Sequence, residues 1–264
     1  MTARPEDWPG LLRLWQRCFG DSAESWDFFR THLWRPEETL VLREGGDIVS
    51  CLALLPCAFS GGLTARYIYA VATDPDKRGR GLAARLMAGA EERARASGAD
   101  LAVLLTEEDS LQSFYARLGY GPCCTAARRA PAGEDRPGGA RAMTAEDLPA
   151  AAALYDGAAA GRTAVLRDQD YWRLRLLEYG GGAAVWADGP RVTAYGFFDE
   201  RGVTEAAGPA ADALVRARAP RAARYPTIPR AGERTEPLGC AKALTARGAR
   251  ALENGELYLN LMFN

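Results

Sequence analysis

Two glycines and two arginines alternate in the segment from Arg78 to Ala83, which reads RGRGLA. The segment follows strand-forming residues at 67–73 and opens a stretch of helical periodicity that begins at Leu82. Glycines let the backbone approach a bulky anion, and the first amides of a helix have no partner within it. Arginine guanidiniums can donate paired hydrogen bonds to phosphate oxygens. The segment predicts a pyrophosphate site, and a basic surface turn before a helix is the alternative.

The segment does not fit two common nucleotide-binding loops. A dinucleotide-binding loop needs three glycines in the pattern GxGxxG, and a Walker loop needs glycine and lysine before serine or threonine. Neither pattern is present between Asp74 and Ala83. These two classes of nucleotide-binding loop are therefore excluded.

Histidine chemistry is excluded by the composition. The only histidine, His32, lies in the sequence RTHLW, which is not the context of a catalytic triad or of an HExxH zinc site. The six cysteines form no CxxC pair, which favours reduced, buried thiols and a cytoplasmic location. We predict no metal. Catalysis must then come from carboxylates, hydroxyls, a tyrosine phenol or backbone groups.

Charge and hydropathy exclude two kinds of partner. The chain has 264 residues and a formal net charge of −1, which gives no electrostatic reason to expect binding to nucleic acid. No stretch approaches the ~20 apolar residues that span a bilayer, and no secretory signal opens the sequence. We expect no membrane partner, and a homo-oligomer is compatible with the sequence.

Hydrophobic periodicity predicts an α/β protein with a mixed sheet. The predicted helices cover residues 6–19, 23–33, 82–96, 110–118 and a segment from about 143 to 155. The predicted strands cover residues 39–42, 48–56, 65–73, 100–105, 183–187, 192–199, 239–243 and 256–262.

The second half of the chain opens like the first. Residues 129–140 are rich in glycine and proline and predict a linker. The segment MTAEDLP that follows, at 143–149, resembles MTARPEDWP at 1–9. The repetition favours two related units, and two ordinary capped helices are the alternative.

Two motifs resemble the GNAT family of N-acetyltransferases. The stretch AVATDPDKRGRGLAARLM at 70–87 is similar to the family's acetyl-CoA motif, whose pattern [RQ]-x-x-G-x-[GA] is met by Arg78, Gly81 and Ala83. Downstream, SFYARLGY at 113–120 resembles the FYxxLGF segment that closes the fold. The resemblance implies a GNAT fold and an acetyl-CoA-dependent N-acetyltransferase with acetyl-CoA as co-substrate.

The resemblance also implies roles for individual residues. The main chain of three strand residues would bind the pantetheine arm: Val71, Ala72 and Thr73. The amides of five residues would bind the pyrophosphate: Gly79, Arg80, Gly81, Leu82 and Ala83. Tyr115 would protonate the departing CoA thiolate, as a phenol of pKa ~10 can do. The alternative for Tyr115 is an aromatic ring that only packs against CoA.

The general base is less defined. Glu108 is the candidate, and it lies with Glu107 and Asp109 at the end of a predicted strand. These acids either face the acceptor amine or cap the next helix. Water can share the role, because the thioester is already reactive and positioning supplies much of the rate.

The segment YARLGYGP at 115–122 is similar to that of the tandem acetyltransferases of the enhanced intracellular survival group. This resemblance implies a GNAT domain at 1–128, a linker at 129–140 and a degenerate GNAT-like domain at 141–264. The best counterpart of the cofactor loop in the second domain, GPAA at 208–211, lacks the arginine and the second glycine. The group's long members carry a further sterol-carrier-like domain, for which 264 residues leave no room. The carboxylate of Asn264 is an alternative base by the same resemblance.

The acceptor is predicted only as a class. It is a primary amine of a small molecule, with an aminoglycoside-like compound as one example, or of a peptide. A different acyl-CoA donor stays open. So does a CoA-binding sensor or interaction protein with little turnover.

Overall fold

The computed structural model describes residues 1–106, 109–133, 136–230, 232–253 and 257–260. The helices are α1 (Trp8–Phe19), α2 (Ala23–His32), α3 (Leu82–Ala96), α4 (Asp109–Arg117), α5 (Leu148–Ala159), α6 (Gln169–Tyr179), α7 (Ala211–Arg218) and α8 (Ala246–Glu253). The strands are β1 (Thr39–Glu44), β2 (Asp47–Phe59), β3 (Leu63–Thr73), β4 (Leu101–Leu105), β5 (Gly121–Arg129), β6 (Gly139–Ala142), β7 (Thr163–Ala164), β8 (Ala183–Asp188), β9 (Arg191–Asp199), β10 (Gly202–Ala207), β11 (Tyr225–Thr227), β12 (Thr235–Ala243) and β13 (Leu257–Tyr258).

The chain divides into two compact units. Unit 1 consists of Met1–Cys123 and Gly239–Gly255, and unit 2 consists of Cys124–Leu238 and Glu256–Asn264. The predicted domain ranges differ from these units. Strand β5 occupies the end of the predicted first domain and the start of the predicted linker. The segment Gly239–Gly255 returns to unit 1, although the prediction placed all of 141–264 in the second domain.

Unit 1 contains a mixed sheet with the strand order β1-β2-β3-β4-β12. The β1–β2, β2–β3 and β4–β12 pairs are antiparallel, and β3–β4 is parallel. The mixed sheet agrees with the prediction. Helix α3 has the predicted bounds and buries one face through Leu86, Met87, Ala90 and Ala94. This face forms one core with the sheet, to which Tyr115 also belongs.

Helices α1 and α2 pack through aromatic rings. Trp15 is fully buried and stacks on Trp26 with ring centroids 4.7 Å apart. Helix α1 ends at Gly20, whose left-handed φ of 73° closes the helix where the sequence predicts its end. Both helices contact β3, and the Phe29 ring of α2 lies 5.4 Å from the Tyr69 ring of β3.

Unit 2 contains a four-stranded antiparallel sheet with the order β10-β9-β8-β6. One face packs against α5 and α6 in a core that includes Tyr155, Trp172 and Phe197. The other face packs against α7 through Leu214 and its neighbours. Among the described residues, no helix is long and apolar enough to cross a membrane.

The two units open in the same way. In each, a 3-10 turn (Pro5–Asp7 or Ala145–Asp147) leads directly into a twelve-residue helix, α1 or α5. The amide two residues before each turn pairs with a strand, Ala3 N with Thr39 O at 2.7 Å and Met143 N with Ala183 O at 2.9 Å. The repeated sequence opening therefore corresponds to a repeated structure.

Candidate functional site

Strands β3 and β4 are hydrogen-bonded to each other over only part of their length. Their parallel pairing covers only Ala65–Tyr67 on β3 and Leu101–Val103 on β4, while β3 continues to Thr73. The described residues provide no strand partner on this side of β3 beyond Tyr67. We call the second half of β3 the free edge, because no described strand pairs with it on this side, although Thr73 O accepts from Cys18 Sγ and Arg78 Nε, both at 3.4 Å. Such an edge is suited to bind an extended group as an added strand would.

A β-bulge marks the start of this free edge. Cys51 pairs with Ala72 and Ala53 with Tyr69, so two residues of β3 lie opposite one residue of β2. Ala70, one of the two, has a left-handed φ of 51°, which is uncommon for a residue with a side chain. Its carbonyl accepts a hydrogen bond from the buried indole of Trp15, Nε1 to O 3.1 Å. The bulge is therefore held from the α1 side.

The bulge decides which groups face the free edge. Asp74 N donates to Val49 O at 2.9 Å, so the ladder with β2 resumes after the bulge. In an antiparallel ladder, successive residues turn their polar groups to opposite sides. Thr73 therefore turns its main-chain groups away from β2. Of the three predicted pantetheine residues, Thr73 faces the edge, the main chain of Ala72 faces β2, and Val71 lies in the bulge between Ala72 and Tyr69.

The loop at 78–81 follows β3 and leads into α3. Gly79 and Gly81 have left-handed φ values of 76° and 72°, which glycine adopts at little cost. Leu82 starts the helix, and the loop from Arg78 to Gly81 is exposed. Among the hydrogen bonds of the described residues, the amides of Gly79–Ala83 have no backbone acceptor. This row of free donors at the start of a fifteen-residue helix is suited to an anion.

The arginines of the loop have other partners in the structure. Arg80 forms a paired salt bridge with Glu44 at the end of β1, with Nη2–Oε1 at 2.7 Å and Nη1–Oε2 at 3.0 Å. The hydrogen bond from Arg80, with Lys77 nearby, lowers the pKa of Glu44. Arg78 Nε donates to Thr73 O at 3.4 Å. Both guanidiniums stay exposed at the loop, so a bound phosphate would compete with Glu44 for Arg80.

Tyr115 lies near the end of α4, and only 6% of its surface is exposed. Its ring meets that of Tyr120 edge-on, with centroids 6.1 Å apart. Burial raises the pKa of Tyr115 to about 12, and the nearby Cys240 thiol contributes in the same direction. The phenol is therefore protonated at neutral pH, as a proton donor must be. Tyr115 shares its core with Val71 and Leu82, from the free edge and the loop.

The side chains of the candidate bases lie outside the part of the chain that the structure describes. Glu107, Glu108 and the terminal residue Asn264 are not among the described residues. Asp109 is the first residue of α4, but its side chain is not among the parts of the chain that the structure describes. The assignment of Glu108 as base therefore stays a prediction.

In unit 2, packed backbone surrounds the position that corresponds to the cofactor loop of unit 1. Gly208 stands between β10 and α7, but an added Cβ there would lie 2.5 Å from Thr193 O. The amides of Ala210 and Ala211 donate to Thr193 O and Gly208 O, both at 3.2 Å. Helix α7 thus starts with paired amides and packed backbone, unlike α3.

Sequence reasoning did not single out two residues around the site. Glu44 meets Arg80, and Lys242 of β12 contacts the end of α4. Neither belongs to a motif. The strand that carries Lys242 is predicted, but its return to unit 1 is not visible in any local pattern.

Known proteins resemble this chain in sequence and in fold. The sequence model of the acetyltransferase (GNAT) domain matches residues 1–123. The fold is similar to a GCN5-related N-acetyltransferase from Kribbella flavida, with 18% identity, 94% of this chain and 71% of that chain covered, and a TM-score of 0.68. It is also similar to Eis1 from Mycobacterium abscessus, with 15% identity, coverage of 94% and 74%, and a TM-score of 0.61. No curated protein sequence gives a significant match.

Residues 1–123, a little under half of the chain, are therefore similar to the acetyltransferase (GNAT) domain family. The similarity to solved structures extends over both units and confirms the predicted tandem GNAT fold. Acetyl transfer from an acyl-CoA is the chemistry of this family.

Proposed function

We propose that the chain transfers the acetyl group of acetyl-CoA to a primary amine of a small molecule or a peptide. The observation that carries the proposal is the continuity of the free edge of β3 with the loop at 78–81 and the free amides of α3. An extended arm ending in a pyrophosphate matches this order of a strand edge followed by an anion site.

The cofactor would bind along two elements of unit 1. The pantetheine arm would pair with Val71 and Thr73, and the pyrophosphate would accept from the amides of Gly79–Ala83. Arg78 and Arg80 would add charge to the anion site. The closed position at Gly208 supports one cofactor per chain, bound by unit 1.

Tyr115 would act as the general acid. The amine attacks the thioester carbonyl, and the carbon–sulfur bond breaks as the amide bond forms. The leaving thiolate takes the phenolic proton of Tyr115, whose raised pKa keeps that proton available. Glu108 or water would take the proton of the attacking amine.

A thiol-release assay with acetyl-CoA and a panel of amines tests the proposal. The panel includes aminoglycosides, simple alkyl amines and peptide amines. We expect release with at least one class, and a loss of about 100-fold in kcat for Tyr115→Phe. Tyr120→Phe is the matched control, because it removes a hydroxyl from the neighbouring ring.

Calorimetric titration with CoA separates the outcomes. A chain that binds CoA and transfers to no amine would be a CoA-binding sensor. A chain that does not bind CoA would contradict both the loop assignment and the proposed activity.

A further inference from the structure

Lys242, from the segment that returns to unit 1, lies against the end of the helix that carries Tyr115. Its Nζ donates to Leu118 O at 2.8 Å, and Leu118 directly follows α4. The same Nζ donates to Glu91 Oε1 on α3, also at 2.8 Å. The ammonium group of Lys242 therefore links the end of α4 to α3, the helix that follows the cofactor loop.

The contact with Lys242 gives a hydrogen-bond partner to a carbonyl at the end of α4. The last carbonyls of a helix have no partner within it and carry partial negative charge, which a lysine can satisfy. The chain turns at Gly119, whose φ is 85°, and Tyr120 N returns to Tyr115 O at 3.1 Å. The stem of Lys242 packs on this turn, since a Cβ at Gly119 would lie 3.4 Å from its Cε.

The ion pair is largely shielded from water. The side chains of Lys242 and Glu91 are 26% and 10% exposed. The ammonium also lies 5.6 Å from the centroid of the Tyr120 ring, which meets the Tyr115 ring edge-on. A partly buried pair of this kind holds its geometry better than an exposed one. Glu91 also forms an i,i+4 salt bridge with the more exposed Arg95, at 3.5 Å, so it keeps one cationic partner when Lys242 is removed.

From these contacts we propose that Lys242 is a positioning residue for acetyl transfer. It holds the Tyr115 end of α4 against α3, so that the phenol keeps its place relative to the cofactor loop. The proposal rests on the proposed role of Tyr115.

Other contacts of the same segment have a different effect. Thr245 Oγ1 donates to Asp100 Oδ1 at 2.6 Å, and Arg247 Nη2 donates to Gly61 O at 2.6 Å. These bonds attach the segment to unit 1 away from α4. Arg247→Met is therefore a matched control that weakens the attachment without touching the end of α4.

A double-mutant cycle tests the proposal by activity. We expect Lys242→Met to lower kcat per CoA-binding site by about 10-fold, with the KM for acetyl-CoA within twofold of wild type. Lys242→Arg should recover at least half of the activity, and Arg247→Met should keep all of it. In a Tyr115→Phe background, Lys242→Met should change kcat by less than about twofold. An equal loss in both backgrounds would show a structural role only and overturn the proposal.

Glu91→Gln/Lys242→Met guards against simple misfolding, because it removes both charges of the shielded pair and leaves only the solvent-exposed Arg95 without its partner. We expect this pair to be as stable as wild type in urea and to keep the kcat defect. A stable double variant with wild-type kcat would also overturn the proposal.

A spectroscopic measurement is independent of turnover. With 3-fluorotyrosine at position 115, we expect one narrow fluorine resonance in wild type, Lys242→Arg and Arg247→Met, and a shifted or broadened one in Lys242→Met. An unchanged resonance in Lys242→Met would contradict the positioning role. If wild type acetylates no amine while the resonance still responds, the proposed function fails and the contact with Tyr115 stands.

Discussion

Asp7 and Asp147 make the same hydrogen bond at the openings of the two units. Each carboxylate accepts from the main-chain amide three residues earlier, Arg4 N at 2.7 Å and Thr144 N at 2.8 Å. Each closes a 3-10 turn and starts a helix, as an N-terminal acid does favourably. The sequence repeat thus preserves an interaction, and not only a pattern of letters.

Asp147 makes a prediction about acid stability. The paired hydrogen bonds from Arg141, both 2.7 Å, lower the pKa of Asp147 to about 2. Because the folded-state pKa is depressed, the stabilisation is present above the ordinary value near 4 and is lost as the pH falls through about 2. Asp147→Asn should lower the free energy of unfolding by about 1–2 kcal/mol at pH 7.

Urea unfolding at several pH values measures this effect. The difference between Asp147→Asn and wild type should shrink towards zero near pH 2. The exposed neighbour Glu146→Gln is the control, with little change expected at any pH. A difference that stays constant down to pH 2 would contradict the assignment.

Gly81 makes a prediction about the cofactor loop. Its φ is 72°, and an added Cβ would meet nothing within 4 Å. Gly81→Ala should cost about 1 kcal/mol of stability from backbone strain alone. It should also weaken CoA binding more than tenfold, because the methyl group would enter the space of the pyrophosphate.

Gly98→Ala is the matched control for Gly81→Ala. Gly98 lies just beyond the other end of α3, with a φ of 77° and nothing within 4 Å of an added Cβ. We expect the same loss of stability and unchanged CoA affinity, measured by urea unfolding and calorimetry. Equal CoA affinity in both variants would place the pyrophosphate elsewhere.

The raised pKa of Tyr115 makes a prediction about alkaline pH. With a pKa of about 12, the phenol keeps its proton through pH 10.5. The ratio of kcat between wild type and Tyr115→Phe should therefore stay constant from pH 7.5 to 10.5. A ratio that falls towards one above pH 9.5 would mean that Tyr115 titrates like an ordinary phenol, against the burial described above.

The arginines of the loop make a prediction about salt. Arg80 and Glu44 are both partly exposed, so Arg78→Ala/Arg80→Ala should change the free energy of unfolding by less than about 1 kcal/mol. The CoA affinity should fall about tenfold in low salt, and the loss should shrink in 0.5 M KCl because screening weakens exposed charges. Arg93→Ala, on the helix that follows the loop, is the control and should leave CoA affinity unchanged.

The sequence predicts the elements around the loop well because their signals are local. Helix α3 has glycine at both ends, and its buried row recurs at helical spacing. Helix α6 escapes prediction because its buried face holds Arg175 beside Trp172, and a buried arginine breaks the apolar period. Arg175 forms a salt bridge with Glu178 one turn on, and only the fold reveals that Arg175 is buried.

Long-range pairing accounts for the other differences. Cys240 pairs with Leu104, about half the chain away, and no periodicity records that a strand so late in the sequence joins the sheet of unit 1. The candidate site divides in the same way. The loop and Tyr115 lie in motifs, whereas Glu44 and Lys242 become visible only when their partners are in place.

The early end of the β3–β4 pairing has a consequence for protein handling. A free, partly apolar strand edge is a template for pairing with another chain, and it promotes aggregation when nothing covers it. If CoA adds itself to this edge, the cofactor protects the protein as well as serving the reaction. Preparations saturated with CoA should then resist heat-induced aggregation better than cofactor-free ones. The stability of the stored protein against aggregation would then depend on the concentration of CoA.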